Sequence, residues 1–178
     1  MDDEHKAMVA MDPYGQPYKG WIWSSGPSYI MSIKRYWQSG IMARRIRQIV
    51  EDYGIETSYH IDVMSSENRR YDYAPDMLSG ADESMAYKLQ IFDEFARYGV
   101  DVTSETVARC FIGKTGIGWS TRCRDKESLF LAETEIPLTA MTYHGKLAYP
   151  GFGLDRQTLL KGLLYGEKAG WGDVMRLD

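Results

Sequence analysis

The chain has 178 residues, of which 44% are hydrophobic and 26% are charged, and its net charge is −4. This length and composition are typical of a globular domain with a core, and they exclude a short peptide or a linker. Because the charge balance is acidic, no overall basic field attracts the protein to nucleic acid or anionic lipid, and neither partner is expected. No segment approaches the roughly 18 apolar residues that a membrane span needs.

The chain begins with MDDEHKAMVAM, which is acidic and lacks the apolar segment of a signal peptide. We therefore expect a soluble, cytoplasmic chain as given, or a secreted one if the chain is a fragment of a longer enzyme. The only two cysteines, Cys110 and Cys123, have no CxxC spacing and no nearby histidine run, which argues against a zinc site. They form a disulfide if the protein is exported, or remain two buried thiols.

Helix-like and strand-like segments alternate along the first part of the chain. Residues 5–12 (HKAMVAMD) predict a first strand. Residues 41–53 (IMARRIRQIVEDY) carry apolar side chains at helical spacing, and Gly54 is a natural end for that helix. Residues 57–63 (TSYHIDV) predict a buried strand that ends in acid, and residues 65–80 are polar and turn-rich, which is typical of a long loop.

The same order of elements then returns. Residues 84–98 (SMAYKLQIFDEFARY) predict a second helix, which Gly99 ends, and residues 100–105 (VDVTSE) predict the next strand. Residues 136–145 (IPLTAMTYHG) are a third strand candidate with polar groups at its end, and residues 154–170 are a third helix candidate. The sequence therefore predicts about four strands, with acids, tyrosines and histidines gathered after them.

The repeated helix–stop–strand unit indicates the fold class. A Tyr-Gly pair ends the predicted helices at positions 53 and 98, so the unit recurs after 45 residues. Such alternation favours βαβ units and a parallel sheet, here α/β as part of a (β/α)8 TIM-type barrel. A closed barrel takes about 250 residues, so we expect residues 1–178 to be a single, incomplete barrel-type catalytic region. Its open sheet edges would be covered by the missing remainder of a larger enzyme or by a second copy.

Two carboxylates end successive predicted strands. Asp62 lies in HIDV and Glu105 in TSET, and neighbouring parallel strands are about 4.8 Å apart. The two acids are therefore expected within several ångströms of each other, as in the two-carboxylate hydrolysis of a glycosidic bond. Each acid alone could instead cap a helix or form a salt bridge. The loop residues Ser65, Ser66, Glu67 and Asp72 are further candidates.

Three short motifs carry a resemblance to a known family. GWIW (20–23), YHIDV (59–63) and GVDVTSE (99–105) resemble the catalytic barrel of the endo-α-N-acetylgalactosaminidases, glycoside hydrolase family 101, over about residues 5 to 150. Trp23 precedes Asp62 by 39 residues and Glu105 follows Asp62 by 43, in the order of the family motifs. The chain departs from the family because it lacks the flanking β domains and the rest of the barrel.

The resemblance implies a role for each matched residue. Asp62 would be the nucleophile, Glu105 the general acid/base, and Trp21 and Trp23 the rings that lie against the sugar. Other polar or aromatic side chains are expected to bind substrate nearby: Tyr29 beside the tryptophan loop, and Tyr143 and His144 at the end of the third strand. A structural role for His144 is equally consistent with the sequence.

The sequence thus predicts a retaining glycoside hydrolase acting on α-linked N-acetylgalactosamine or galactose in a glycan or glycoconjugate. The expected mechanism is double displacement by two carboxylates, and it requires no metal or organic cofactor. One alternative is an α-galactosidase-like hydrolase, which Glu105 argues against because that barrel uses an aspartic acid as acid/base. The other is a non-catalytic carbohydrate-binding or interaction fragment that keeps the aromatic loops. The glycines of IGKTGIGWS (112–120) do not have the order of a phosphate-binding loop.

Overall fold

The computed structural model describes residues 3–66, 71–119, 138–148 and 150–151, together with 156, 160, 162, 163, 166, 168 and 169. The helices are α1 (Asp3–Lys6), α2 (Ile33–Gln38), α3 (Ile41–Asp52), α4 (Ala81–Arg97) and α5 (Leu138–Tyr143). The strands are β1 (Lys19–Trp23), β2 (Gly26–Tyr29), β3 (Ser58–Ile61), β4 (Asp101–Glu105), β5 (Thr115–Trp119), β6 (Pro150–Gly151) and β7 (Lys168–Ala169). None of the helices in these residues is long and apolar enough to cross a membrane.

The chain divides into two compact units. The first, which we call the helical unit, comprises residues 1–56 and 68–100 and contains α1 to α4 with the β1–β2 hairpin. The second, the sheet unit, comprises residues 57–67 and 101–178 and contains β3 to β7 with α5. The chain passes from the helical unit to the sheet unit twice, between α3 and β3 and between α4 and β4.

In the helical unit, α2, α3 and α4 pack against one another. The buried side chains of α3 and α4 are mostly apolar, and those of α4 recur at three- and four-residue intervals, as the sequence pattern predicts for an amphipathic helix. These include Ile41 and Ile46 on α3 and Ile91, Phe92 and Phe95 on α4. The prediction of helices at 41–53 and 84–98 is therefore confirmed, with α4 beginning three residues earlier than expected.

Helices α3 and α4 end in the same way. Gly54 and Gly99 follow the two helices with φ angles of 61° and 73°, a conformation that glycine adopts without the steric cost of a Cβ atom. Beyond the first glycine, the amide of Ile55 donates to the carbonyl of Val50 at 3.1 Å, and the equivalent bond after Gly99 is 3.2 Å. This is the Schellman arrangement. The Tyr-Gly repeat seen in the sequence is thus a repeated helix end.

The tryptophans that were predicted on a loop lie on a strand. Strand β1 carries Trp21 and Trp23 and pairs antiparallel with β2 through a tight turn. Gly26, with a φ of 114°, takes a backbone conformation that few other residues adopt. Trp21 is 77% exposed and Trp23 is 62% exposed, so the hairpin holds both rings away from the core of the helical unit.

The sheet unit is built on the parallel order β3-β4-β5. Strand β4 is central, and its side chains alternate between buried and partly exposed, with Val102 and Ser104 buried. Phe111, in a short 3-10 turn after β4, is fully buried beneath this region. Strands β3 and β4 confirm the prediction of two successive parallel strands, and the chain between them contains α4.

Two predicted strands are wrong. Residues 5–12 begin inside α1, where Asp3 and Glu4 in the first turn and Lys6 in the last suit the helix dipole, and only Val9 and Met11 make isolated bridges. The described part of 136–145 is α5, whose Leu138, Ala140 and Met141 are good helix formers.

Strand β5 lies in the glycine-rich segment 112–120, which the sequence pattern did not predict as a strand. Most of the predicted helix at 154–170 lies outside the described residues, although positions 156, 160, 162 and 163 are helical. The described residues form a mixed α/β structure with a small parallel sheet and no closed barrel.

Candidate functional site

The two predicted acids follow paired positions at the carboxyl ends of β3 and β4. The parallel register aligns His60 with Thr103 and Ile61 with Ser104, so the next residues along the two strands are Asp62 and Glu105. A carboxylate oxygen of Asp62 and one of Glu105 lie within 4.8 Å of each other. The sheet register alone therefore brings together two side chains that are 43 positions apart in the sequence.

The surroundings of the two carboxylates differ in exposure. Asp62 is exposed after the edge strand β3, whereas Glu105 is half-buried at the end of the central strand β4. Within the described residues, no hydrogen bond or ion pair involves either carboxylate. Among the described residues, neither acid caps a helix or forms a salt bridge.

Buried serines tie the two strand ends together. The Ser104 hydroxyl donates to the carbonyl of Ile61 at 2.6 Å and accepts the amide of Ser65 at 3.2 Å. The Ser65 hydroxyl in turn donates to the carbonyl of Glu105 at 2.9 Å. Ser65 and Ser104 are fully buried. These bonds run through backbone groups beside the acids, so they fix the strand ends without occupying the carboxylates.

The backbone turns sharply after each acid. Val63 follows Asp62 with a φ of 44°, and Thr106 follows Glu105 with a φ of 48°. Both residues are β-branched, and for such side chains a left-handed conformation is strained. Strain of this kind costs about 1–3 kcal/mol and is found where the surrounding structure imposes a particular geometry. Both strands thus leave the sheet abruptly, immediately after presenting an acid.

A third polar side chain belongs to this group and was not identified from the sequence. His60 lies two residues before Asp62, so the alternation of a strand puts both on one face. One of its ring nitrogens lies within 4.8 Å of the carboxylate oxygens of Asp62 and Glu105. Its Nδ1 is also 2.9 Å from the Thr103 hydroxyl. The two-residue spacing in HIDV was the available signal, since it fixes a shared face.

The other predicted site residues lie on different elements. Trp21, Trp23 and Tyr29 belong to the helical unit, where Tyr29 lines a groove of about 720 Å³ with Tyr18 and Lys19 among others. In the sheet unit, Tyr143 is the half-buried last residue of α5 and His144 is exposed in the turn that follows. The sequence pattern placed both residues at the end of a strand, and that placement is wrong because they end a helix and begin the turn after it.

The further loop candidates have separate positions. Asp72 is buried in the helical unit, where its Oδ1 accepts the amides of Met11 and Ala74, so its role is structural. Ser65 belongs to the serine contacts of the sheet unit. Ser66 is buried, and Glu67 lies outside the described residues.

His60, Asp62 and Glu105 are also the one set among the described residues whose atoms lie close enough to share a metal ion. Oxygen and imidazole ligands of this kind suit a divalent cation. Exposed acids group in this way without an ion as well, so the grouping by itself does not make a metal site.

Comparison with known proteins gives a structural likeness. No protein-family model and no curated protein sequence matches this chain. Its fold is similar to that of the alpha-N-acetylgalactosaminidase NagBb from Bifidobacterium bifidum. The ligand-free structure gives a TM-score of 0.72 at 16% identity, over 95% of this chain and 28% of that chain. The complex with GalNAc gives a TM-score of 0.72 at 14% identity, over 97% of this chain and 29% of that chain. The complex with Gal-NHAc-DNJ gives a TM-score of 0.71 at 16% identity, over 95% of this chain and 27% of that chain.

At this level of identity the likeness shows a shared fold. The chain spans less than a third of the length of the glycosidase that it matches. The sequence resemblance to an α-N-acetylgalactosaminidase barrel is therefore confirmed as a structural similarity to part of such an enzyme, whereas membership of family 101 is not confirmed.

Proposed function

We propose that this chain is the catalytic region of a retaining glycoside hydrolase that acts on α-linked N-acetylgalactosamine or galactose in glycans. The observation that carries the proposal is the separation of the Asp62 and Glu105 carboxylate oxygens, which lie within 4.8 Å of each other. Retaining enzymes hold their two carboxyl groups about 5–5.5 Å apart, whereas inverting enzymes need about 6.5–9.5 Å to admit a water. The shorter spacing favours direct attack by one carboxylate on the sugar.

The proposed substrate class depends on the fold. NagBb is an alpha-N-acetylgalactosaminidase, and one of the NagBb structures to which this chain is similar is a complex with GalNAc. A likeness of fold alone does not carry an activity from one protein to another. It is combined here with two carboxylates at adjacent strand ends that have no hydrogen-bond or ion-pair partner among the described residues. Strand ends are the location at which parallel α/β folds place their sites.

The two acids divide the reaction according to their positions. The exposed Asp62 attacks the anomeric carbon as the nucleophile and forms a glycosyl-enzyme, while Glu105 acts as the general acid and donates a proton to the leaving oxygen. Glu105, now ionised, then takes a proton from the water that attacks the glycosyl-enzyme and releases Asp62. The two steps together conserve the configuration at the anomeric carbon.

The remaining predicted residues complete the proposal as sugar contacts. The exposed rings of Trp21 and Trp23 on β1 offer flat apolar faces, which suit the apolar face of a sugar, and Tyr29 lines the neighbouring groove of the helical unit. In the sheet unit, the exposed His144 and the half-buried Tyr143 offer hydrogen-bonding groups.

The test is hydrolysis of an aryl α-N-acetylgalactosaminide by the full chain and its variants. We expect Asp62→Asn and Glu105→Gln each to lower kcat by about 10³-fold or more, since each removes a group that acts on the reacting atoms. Asp101→Asn is the matched control, because it changes an exposed carboxylate at the opposite end of β4, and it should leave kcat unchanged.

The stereochemistry provides an independent check. NMR of the first product formed should show the α-anomer, which a double displacement releases from an α-glycoside. A β-anomer as the first product would contradict the retaining mechanism, and full activity of Asp62→Asn would contradict the assignment of the nucleophile.

Two observations favour a second candidate, a carbohydrate-binding region without catalysis. The chain spans less than a third of the glycosidase that it matches, and its tryptophan hairpin is exposed. If the chain binds galacto-configured sugars in calorimetry but the unmutated protein releases no product, the binding function replaces hydrolysis.

A further inference from the structure

His60 stands in a position that the two-carboxylate mechanism does not use. It is exposed on the same face of β3 as Asp62, and its partner in the register, Thr103, lies on the same face of β4 as Glu105. The buried side chains of β4 point to the other side of the sheet. The four polar residues therefore form one patch in the sheet unit, two on each strand.

The distances within this patch define a common point. An atom of each of His60, Asp62 and Glu105 lies within 4.8 Å of the other two. The smallest circle around such a triangle has a radius of the side divided by √3, so some point lies within about 2.8 Å of all three atoms. This is a hydrogen-bonding distance. One substrate oxygen can therefore contact the imidazole and both carboxylates at once.

Thr103 limits how the imidazole can turn. Its hydroxyl is 2.9 Å from Nδ1 of His60, and a hydrogen bond between them restricts rotation of the ring. The hydroxyl can donate to or accept from Nδ1, and in either case the other ring nitrogen remains available for a ligand. Because Thr103 and His60 are paired across adjacent strands, the sheet itself sets this contact.

We propose that His60 is a third substrate-contacting residue, which hydrogen bonds the sugar oxygen held between Asp62 and Glu105, and that Thr103 is a positioning residue that acts through His60. The inference rests on the proposed function, because it assigns a further contact within the same site. Two carboxylates alone offer only acceptors when both are ionised. A ring nitrogen of the imidazole adds a hydrogen-bonding group that can donate to a substrate oxygen.

The first experiment is kinetic. His60→Ala should lower kcat/KM for an aryl α-N-acetylgalactosaminide about tenfold to a hundredfold, as expected for loss of one substrate hydrogen bond in a site with charged neighbours. His5→Ala is the matched control, because it removes a half-buried histidine of the helical unit, and it should leave kcat/KM unchanged. Equal activity of His60→Ala and the parent overturns the proposal.

Substitutions at Thr103 separate positioning from simple structural support. Thr103→Val removes the hydroxyl and should cost about three- to tenfold in kcat/KM, while Thr103→Ser keeps the hydroxyl and should restore most of it. Since Thr103 acts only through His60, the double variant should be no worse than His60→Ala alone. Additive losses in the double variant would overturn the positioning role.

A binding measurement keeps this inference distinct from the proposed function. Calorimetry with GalNAc on the Glu105→Gln chain should show weaker binding when His60→Ala is added. If the parent binds GalNAc and His60→Ala weakens that binding, but the parent releases no product, the contact stands and hydrolysis fails. If His60→Ala changes neither binding nor turnover, the contact fails. A parent that neither binds nor hydrolyses overturns both.

A second variant covers the case in which His60→Ala does not fold. His60→Gln keeps a donor and an acceptor at similar reach and should recover part of kcat/KM relative to alanine. Thermal unfolding followed by circular dichroism checks that each variant has the midpoint of the parent. If His60→Gln folds and keeps a kcat/KM well above that of His60→Ala, the hydrogen-bonding role of position 60 is supported. If both variants lose kcat/KM to the same extent, that role is contradicted.

Discussion

The two units of the molecule treat their carboxylates in opposite ways. In the helical unit, Asp72 is 3% exposed, and its Oδ1 accepts the amides of Met11 and Ala74 at 2.9 and 3.0 Å. Its Oδ2 forms an ion pair with Arg35 at 3.8 Å. In the sheet unit, the described residues provide no such partner for Asp62 or Glu105. One carboxylate is part of the architecture, and the other two are presented to a ligand.

This difference separates structural acids from candidate catalytic ones more clearly than position along the chain does. Asp62 and Asp72 are ten residues apart, and both follow β3 in the sequence. A carboxylate whose oxygens already accept backbone amides stabilises the fold, and its removal leaves those donors unsatisfied. A carboxylate without partners contributes little to stability and retains its lone pairs for substrate. Stability and activity should therefore respond in opposite ways to the two kinds of substitution.

The largest effect on stability is expected at Asp72. Asp72→Ala leaves the amides of Met11 and Ala74 without their acceptor and removes one ion-pair partner of Arg35, and we expect the free energy of unfolding to fall by about 3 kcal/mol. Asp62→Ala should change it by less than about 0.5 kcal/mol, as for an exposed side chain without contacts. Urea unfolding followed by circular dichroism measures both.

Asp76 provides the matched control for Asp72. It also contacts Arg35, at 3.4 Å, but its side chain is 77% exposed, so Asp76→Ala should cost no more than about 1 kcal/mol. Equal losses at positions 72 and 76 would mean that burial does not distinguish the two acids. A large loss of stability in Asp62→Ala would contradict the view that this acid is kept for a ligand.

A smaller effect is expected from the serines that hold the strand ends of the sheet unit. Ser104→Ala removes the donor to Ile61 and the acceptor for Ser65, so we expect a loss of about 2 kcal/mol together with a fall in kcat, because the acids lose their alignment. Ser58→Ala, on the exposed start of β3, is the control. A fall in stability without any change in kcat would show that these contacts do not position the acids.

Much of this architecture could be predicted from the sequence, where local signals agreed with the fold. The helices at α3 and α4 were predictable because their apolar spacing and the glycines after them are local features. The carboxyl-end position of Asp62 and Glu105 followed from strand order alone, and a parallel register fixes which residues stand side by side. Their proximity in the structure is the geometric consequence of that register.

Other features depend on contacts that the sequence does not display. The hydroxyl contacts of Ser65 and Ser104 join residues 39 positions apart, and nothing in the pattern around either serine indicates the other. The sequence shows that His60 lies two residues before Asp62, but its proximity to Glu105 depends on the pairing of β3 with β4. Residues 136–145 have both β-leaning and helix-forming side chains, and short segments of this kind take the structure that tertiary contacts favour.

Substitution of the strained residues after the two acids is expected to raise the free energy of unfolding. Val63→Gly and Thr106→Gly relieve a left-handed conformation that a β-branched side chain resists, and each should raise the free energy of unfolding by up to about 1 kcal/mol. Turnover should fall, since a more flexible turn aims the acid less well. Gly54→Ala, at a φ of 61°, is the reverse control and should destabilise the helical unit. A loss of stability in both glycine variants would contradict strain at these positions.

The smallest effect is expected at a paired carboxylate of the helical unit, Glu83. Its hydrogen bond to Lys34, at 2.9 Å, lowers the pKa of Glu83 below the ordinary value of 4.5, with burial acting in the other direction. Since the pKa is lower in the folded state, the pair stabilises the fold at pH values above the pKa of the unfolded chain. That contribution is lost as the pH falls through the folded pKa, below about 4.5.

Glu83→Gln should therefore lower the thermal midpoint slightly at pH 7, and the difference should be smaller at pH 3. Because the Glu83 side chain is 41% exposed, solvent screens the pair, and added salt should reduce the difference at pH 7. Thermal unfolding at the two pH values, with and without salt, measures the effect. A midpoint difference as large at pH 3 as at pH 7 would mean that Glu83 contributes through packing. The contrast between the paired acids of the helical unit and the two acids of the sheet unit, which have no partner among the described residues, would then rest on Asp72 alone.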